Sequence, residues 1–284
     1  MKKTFISLLS VIFLFLAYRC TSCDSTHTGT DTIPESESNS IPKPLNISVY
    51  LDLSDRLTRD LTPSQAERDT AIINHLIDIF VNDAIKNGKI ANSKNHFQIF
   101  FYPAPKNSQI ATLAKGLNVD LEKTDIKDKK IVLRDMKSQF EKSLSVLYSD
   151  AIAASNWNGS DVWGFFSNKK VDDLCIRKGY RNILVILTDG YLFDANNKIN
   201  EGDAYSYILP QTLAVLESSL IVKRNGLENL DVLMLEINPY DPKQQEALTD
   251  KLQNWFSEMG IKKFVVANTD LPVNIEHTID RFME

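Results

Sequence analysis

RNILVILTDGYLF, residues 181–193, is the strongest strand signal in the chain. Ile183 to Leu187 are apolar without a break, so the strand they form has no polar face to turn to water. A strand buried on both faces belongs inside a parallel sheet covered by helices on each side. The run then stops at Thr188, Asp189 and Gly190. A second stretch, ISVYLDLSDRL (47–57), ends in the same way. Its strand is read over Asn46–Leu53, with Ile47, Val49, Leu51 and Leu53 alternating about Tyr50. It runs into Asp52, Ser54, Asp55 and then Arg56.

Outward from these two strands, the pattern alternates. A helix is expected from about Pro63 to Asn87, with Thr62 as cap, Pro63 in the first turn and Gln65 closing a capping box. Its apolar stripe is Ile72/Ile73, Leu76/Ile77, Phe80/Val81 and Ala84. HFQIFFYPAP (96–105) is a second strand, broken by its prolines. Residues 106–129 read as irregular, with a short edge strand near Gln109–Leu113. A helix follows over about Val132–Ala154, with Met136, Phe140, Leu144, Leu147 and Ala151 on one side. A short helix is expected from Val162 and another over 210–223. LDVLMLEINP (230–239) is a strand and DPKQ opens a helix. KKFVVAN (262–268) is the last strand, and residues 272–284 the last helix. Strands alternating with helices give a doubly wound α/β fold, a mainly parallel sheet with helices on both faces. In such sheets ligands bind beyond the carboxyl ends of the strands, where strand order reverses. That directs attention to the loops after Leu53 and Leu187.

The N-terminal part has a different character. Lys2 and Lys3 precede an apolar run from Phe5 to about Tyr18, too short for a mature membrane span and of the length of a secretory core. With the cysteines of AYRCTSCDS, this segment resembles a bacterial lipoprotein signal. The resemblance implies lipidation at Cys23, which follows the small residues Thr21 and Ser22. Cys20, behind Tyr18 and Arg19, sits in a poor cleavage context and occupies the place where a leucine-like residue is usual. A leader without lipid is the alternative. Residues 25–44 (STHTGTDTIPESESNSIPKP) have almost no large apolar side chain and cannot repay the entropy of ordering. The organisation read from the sequence is therefore a signal segment over 1–23, a disordered tether over 24–44 and one domain over 45–284. A lipid on Cys23 would hold that domain at a membrane of a bacterial cell envelope.

Composition narrows the function. Of the whole chain, 43% is hydrophobic, enough for a real core. Beyond residue 23, 29 basic side chains face 37 acidic ones, a net charge of −8. That argues against nucleic acid, whose phosphate backbone needs a basic face. Cys175 alone remains in the domain, so it has no internal disulfide partner there, and it reads as a small buried hydrophobe. There is no Gly-x-Ser-x-Gly elbow, His-Glu-x-x-His or phosphate-cradling glycine loop. His27, His75, His96 and His277 are scattered without ligand spacing. Asn46 and Asn158 begin glycosylation sequons, which a bacterial leader discounts. Trp157 and Trp163 flank Ser160 and read as packing or as the wall of a groove.

Asp52, Ser54 and Asp55, then Gly159-Ser160-Asp161, then Thr188-Asp189-Gly190 offer carboxylates and hydroxyls without a thiolate. That donor set suits a hard divalent cation, Mg²⁺ or Mn²⁺. The combination resembles the von Willebrand factor A-like fold and its metal-ion-dependent adhesion site. There a first strand ends in Asp-x-Ser-x-Ser, a later loop gives a threonine, and a central strand ends in Asp-Gly. Asp52 and Ser54 match the first motif, Ser160 with Asp161 the threonine position, and Asp189 with Gly190 the last. The resemblance implies Mg²⁺ held at Asp52, Ser54, Ser160 and Asp189, with one position open to an acidic group on a protein or peptide partner. The departure is Arg56, where the family has its second serine. Arginine has no acceptor. It can swing outward and leave Asp55 to serve, or lie between Asp52 and Asp189 in place of the metal.

Plainer readings stand beside this one. Asp52 and Asp55 would equally cap a turn, and Ser160 would equally cap the helix after it. A rival enzyme reading resembles the haloacid-dehalogenase-like phosphatases, which use Asp-x-Asp at a first strand end, with Asp172-Asp173 as the later acidic pair; here Ser54 takes the second acid's place. A third reading is a metal-free structural module.

Overall fold

The computed structural model describes residues 42–86, 90–104, 107–154, 160–191, 224–239, 242–268 and 272–284. Six strands form one sheet: β1 (Leu45–Leu51), β2 (His96–Phe100), β3 (Asn118–Asp120), β4 (Arg181–Leu187), β5 (Leu230–Leu235) and β6 (Lys263–Val266). Their spatial order is β3-β2-β1-β4-β5-β6. All neighbours are parallel except β3, which runs antiparallel at the edge beside β2. Among the described residues the α-helices are α1 (Gln65–Ile85), α2 (Ser108–Gly116), α3 (Ile126–Ala154), α4 (Val162–Ser167), α5 (Lys170–Cys175), α6 (Gln245–Glu258) and α7 (Pro272–Met283). The doubly wound α/β fold expected from the alternating elements is the fold observed. The signal segment, Cys23 and the tether up to residue 41, with the helix expected over 210–223, lie outside the described residues.

The strands divide the core by their period of two. Ile47, Val49 and Leu51 of β1 join Ile183, Val185 and Leu187 of β4 on the face covered by α1 and α3. Tyr50, Leu184, Ile186, Val232 and Met234 face α4, α5 and α6 on the other side. β4 has six of its seven residues buried, as its unbroken apolar run requires.

Local signals were displaced in three places. Ser64, not Thr62, caps α1: its hydroxyl accepts from the Glu67 amide and the Glu67 side chain closes the box on the Ser64 amide. Gln109–Leu113 is helical, and the edge strand is Asn118–Asp120. Asn107 caps α2 by accepting from the Gln109 and Ile110 amides, which starts a helix where apolar spacing alone suggested a strand. α3 begins at Ile126 rather than Val132, since its first turn is polar and carries no stripe. Asn46 is fully buried and donates to the Cys175 carbonyl and Asn182 Oδ1, both at 2.8 Å, so its sequon is sealed in the sheet; Asn158 lies outside the described residues.

Strand order reverses between β1 and β4, which makes their carboxyl ends the switch point. The register pairs Leu51 with Leu187, so Asp52 and Thr188 leave the sheet side by side.

Candidate metal centre at the switch point

Asp52 continues β1 by donating its amide to the Leu187 carbonyl at 3.0 Å. Its side chain is fixed at both oxygens. Oδ1 accepts from the Ser54 amide at 2.8 Å and Oδ2 from the Thr188 hydroxyl at 2.7 Å. Thr188 in turn accepts from the Gly190 amide at 3.3 Å, and Asp189 Oδ1 from the Tyr191 amide at 3.1 Å. Gly190 has φ +94, and an added Cβ would lie 3.0 Å from Leu248 and 3.1 Å from Ile237. The Asp-Gly pair therefore ends β4 because only glycine takes that backbone against α6.

Asp52 and Asp189 are buried at 1% and 4% exposure. Burial raises the Asp52 carboxyl above its ordinary range, against the pull of Arg56 and the hydrogen bonds from Thr188 and Ser54. Burial and the neighbouring Asp52 charge push Asp189 up to about 7. Two carboxylates held together out of water favour a bound proton or cation between them.

Ser160 is buried on the Tyr50 side of the sheet, its Oγ 3.0 Å from the Tyr50 hydroxyl. That hydroxyl also donates to the Tyr102 carbonyl at 2.6 Å. Asp52 stands two residues along on the same face of β1, and its charge helps burial to raise the Tyr50 phenol well above its usual range. Ser160 is therefore held against Tyr50, and it is not the helix cap. Asp161 caps α4, its Oδ1 accepting from the Gly164 amide at 2.6 Å. A Cβ on Gly164 would fall 2.1 Å from that carboxylate, so the cap needs glycine there. Trp163 is half-buried beside the core; Trp157 lies outside the described residues.

Arg56 takes neither of the two positions expected of it. It is fully buried and turns under the β1–α1 loop. Its Nε donates to the Asp52 carbonyl at 2.9 Å, and its two terminal nitrogens reach Asp69 Oδ1 and Oδ2 at 3.3 and 2.7 Å. Asp69 accepts further from Gln65 at 3.0 Å and from the Tyr148 hydroxyl at 2.9 Å. Gln65 also donates to Glu236 at 2.9 Å. A bidentate acid on α1 outcompetes the solvent and the edge for the guanidinium. Its Nε still lies 4.0 Å from Asp52 Oδ2, so it contributes charge to the edge without occupying it. Asp55 and Ser54 are half-buried; Ser54 Oγ accepts from the Arg56 amide at 3.5 Å, and the Asp55 carbonyl accepts from Thr58.

Motif spacing does not single out Asp69, Tyr148 or the Tyr50 hydroxyl, whereas Thr188 belongs to the donor set read from the sequence. Asp69 had a usable signal: it stands three and four residues before Ile72 and Ile73, a charge on the apolar stripe of α1. Such a residue is buried only when paired.

The donor set fits a hard cation. Among the described residues no three His, Cys, Asp or Glu side chains come together as a metal cluster. A cation here would therefore rest on two carboxylates, hydroxyls and retained water, which is the habit of Mg²⁺. The β1–α1 turn has no glycine loop of the kind that cradles a pyrophosphate at this strand order in other proteins.

Asp172 and Asp173 do not reach this edge. They lie in α5, whose Cys175 carbonyl meets Asn46 at the start of β1. Six residues of strand, about 20 Å, separate Asn46 from Asp52. Asp172 is held by Arg224 at 2.6 Å and Asp173 stands 3.9 Å from Lys170. The phosphatase arrangement is not formed.

No protein-family model matches the chain, and no curated protein matches it in sequence. Solved structures similar to it include the pilus adhesin SpaC from Lactobacillus rhamnosus GG, at 11% identity and a TM-score of 0.42. That match covers 86% of this chain and 30% of the adhesin chain. An aerotolerance-related membrane protein from Bacteroides fragilis, carrying multiple mutations to serines, is similar at 11% identity and a TM-score of 0.39, over 84% of this chain and 98% of the other. The conserved hypothetical protein BatB from Bacteroides thetaiotaomicron follows at 12% identity and a TM-score of 0.37, over the same shares. No helix among the described residues is long and apolar enough to cross a membrane.

Proposed function

We propose that residues 45–284 form a von Willebrand A-like binding domain, tethered to a bacterial cell envelope through a lipid on Cys23. It takes Mg²⁺ or Mn²⁺ at Asp52, Ser54, Ser160 and Asp189 and presents that cation to an acidic group on a protein or peptide. The observation that carries the reading is the buried pair Asp52 and Asp189 at the β1/β4 switch point, with Arg56 withdrawn to Asp69. The cation's chemistry would be to neutralise the two acids and to bind a partner's carboxylate at an open position. This chain's own residues hold and orient it: Thr188 and the Ser54 amide fix Asp52, and Tyr191 fixes Asp189. The lipid rests on the sequence of residues 1–23 alone.

The metal-free module has one observation in its favour: Asp189, pushed up to about 7, can keep a proton beside Asp52 at neutral pH. Calorimetric titration of Mg²⁺ and Mn²⁺ into the full chain in mild detergent separates the two. One bound cation, lost in Asp189→Ala, supports the metal reading; no uptake rejects it. Partner capture that survives both Asp52→Asn and Asp189→Ala would refute the binding role of this edge.

A further inference from the structure

The proton count at the Tyr50 hydroxyl carries a further inference, which rests on the metal reading above. The Tyr50 ring is fully buried and is locked by edge contacts with Phe100 at 5.6 Å and Phe165 at 5.4 Å. Its hydroxyl has one proton. The Tyr102 carbonyl has none to give, so the 2.6 Å contact between them consumes the tyrosine proton. The 3.0 Å contact with Ser160 Oγ must then use the serine's proton. Ser160 is thereby set with its hydrogen on Tyr50 and its lone pairs directed elsewhere.

We propose that Tyr50 is a positioning residue that turns the Ser160 hydroxyl into a pre-oriented oxygen ligand for the cation. A cation needs a lone pair and repels a hydroxyl proton, so a rotor already fixed in that state loses nothing on binding. The neighbouring groups reinforce the arrangement. The Tyr102 carbonyl also accepts from the Asp161 amide at 3.0 Å, filling its second lone pair and pinning the Ser160 loop. The Thr188 hydroxyl is set differently: it gives its proton to Asp52 and accepts from Gly190, so it supports the carboxylate.

The test is Mn²⁺ titration by calorimetry on the full chain in mild detergent, for the parent and for Tyr50→Phe, Ser160→Ala, the double variant and Asp189→Ala. Tyr50→Phe keeps the ring and its packing. It is expected to weaken Mn²⁺ about tenfold, the scale of losing a group that orients a ligand. Ser160→Ala is expected to weaken it at least as much, and Tyr50→Phe added to Ser160→Ala to cost nothing more. A purely structural role would instead subtract again in the double variant. Parent-like binding by Tyr50→Phe, or additive losses, with Asp189→Ala inactive, would overturn the positioning role and leave the metal site standing. No Mn²⁺ uptake by the parent would overturn both.

Discussion

Replacing Arg56 by serine restores the residue that the resembled motif carries, yet the structure makes it a costly change. Arg56 is fully buried, and its guanidinium makes three hydrogen bonds, one to the Asp52 carbonyl and two to Asp69. Serine at this position removes the charge and the side chain's volume together. Asp69, itself fully buried, would keep only Gln65 and Tyr148 as donors. Removing one partner of a buried ion pair costs about 3–5 kcal/mol, because the other charge stays behind uncompensated. For a domain of this size that corresponds to a melting temperature lower by roughly 6–20 °C. Removing both charges should cost less than removing one, so Arg56→Met with Asp69→Leu should be more stable than Arg56→Met alone. Urea denaturation at neutral pH of the parent, Arg56→Met, Asp69→Leu and the double variant gives the cycle, with Arg56→Ser measured beside them. Arg56→Ser within about 1 kcal/mol of the parent, or losses that simply add, would refute the pairing. A rise in Mg²⁺ affinity without loss of stability would show that the arginine had been standing in the metal's place.

Two other outcomes follow from the geometry. His96 is held down to about 4 by burial first and by the Arg177 charge second, with Asp120 opposing. It donates from Nδ1 to the Asn46 side-chain oxygen at 2.7 Å in its neutral form. The unfolded chain takes up that proton near 6.5 and the folded chain only near 4. Stability from this group is therefore full above about 6.5 and lost as pH falls toward 4, by up to about 3 kcal/mol. His96→Gln should flatten that slope in denaturation curves at pH 5 and pH 7, and an unchanged slope would assign it to other groups. Gly190→Ala should destabilise by about 1–3 kcal/mol, since the backbone sits at φ +94 and the new Cβ meets Leu248 and Ile237. A melting temperature equal to the parent's would contradict the turn described for Asp189.

The sheet is legible in the order of residues. The apolar run 183–187 and the alternation in 47–53 set buried strands, because a continuous or period-two apolar pattern has one low-energy way to leave water. With strands and helices alternating, the doubly wound arrangement and its carboxyl edge followed, and so Asp52 and Asp189 were placed at one end before any contact was known. Where hydrogen bonding rather than burial set the boundary, local reading was displaced: Ser64 caps α1 and Asn107 starts α2, because each side chain satisfies amides that apolar spacing does not count.

The partners of the polar groups are not legible in the sequence; folding assigns them. Arg56 was expected to swing outward or to lie between Asp52 and Asp189, and it pairs instead with Asp69, thirteen residues on, because α1 presents that acid bidentately. Tyr50 and Ser160 are 110 residues apart and meet only when the sheet is assembled. Burial is a property of each side chain and is written into the order of residues. A hydrogen bond or an ion pair belongs to two, and which two is known only when the chain has closed on itself.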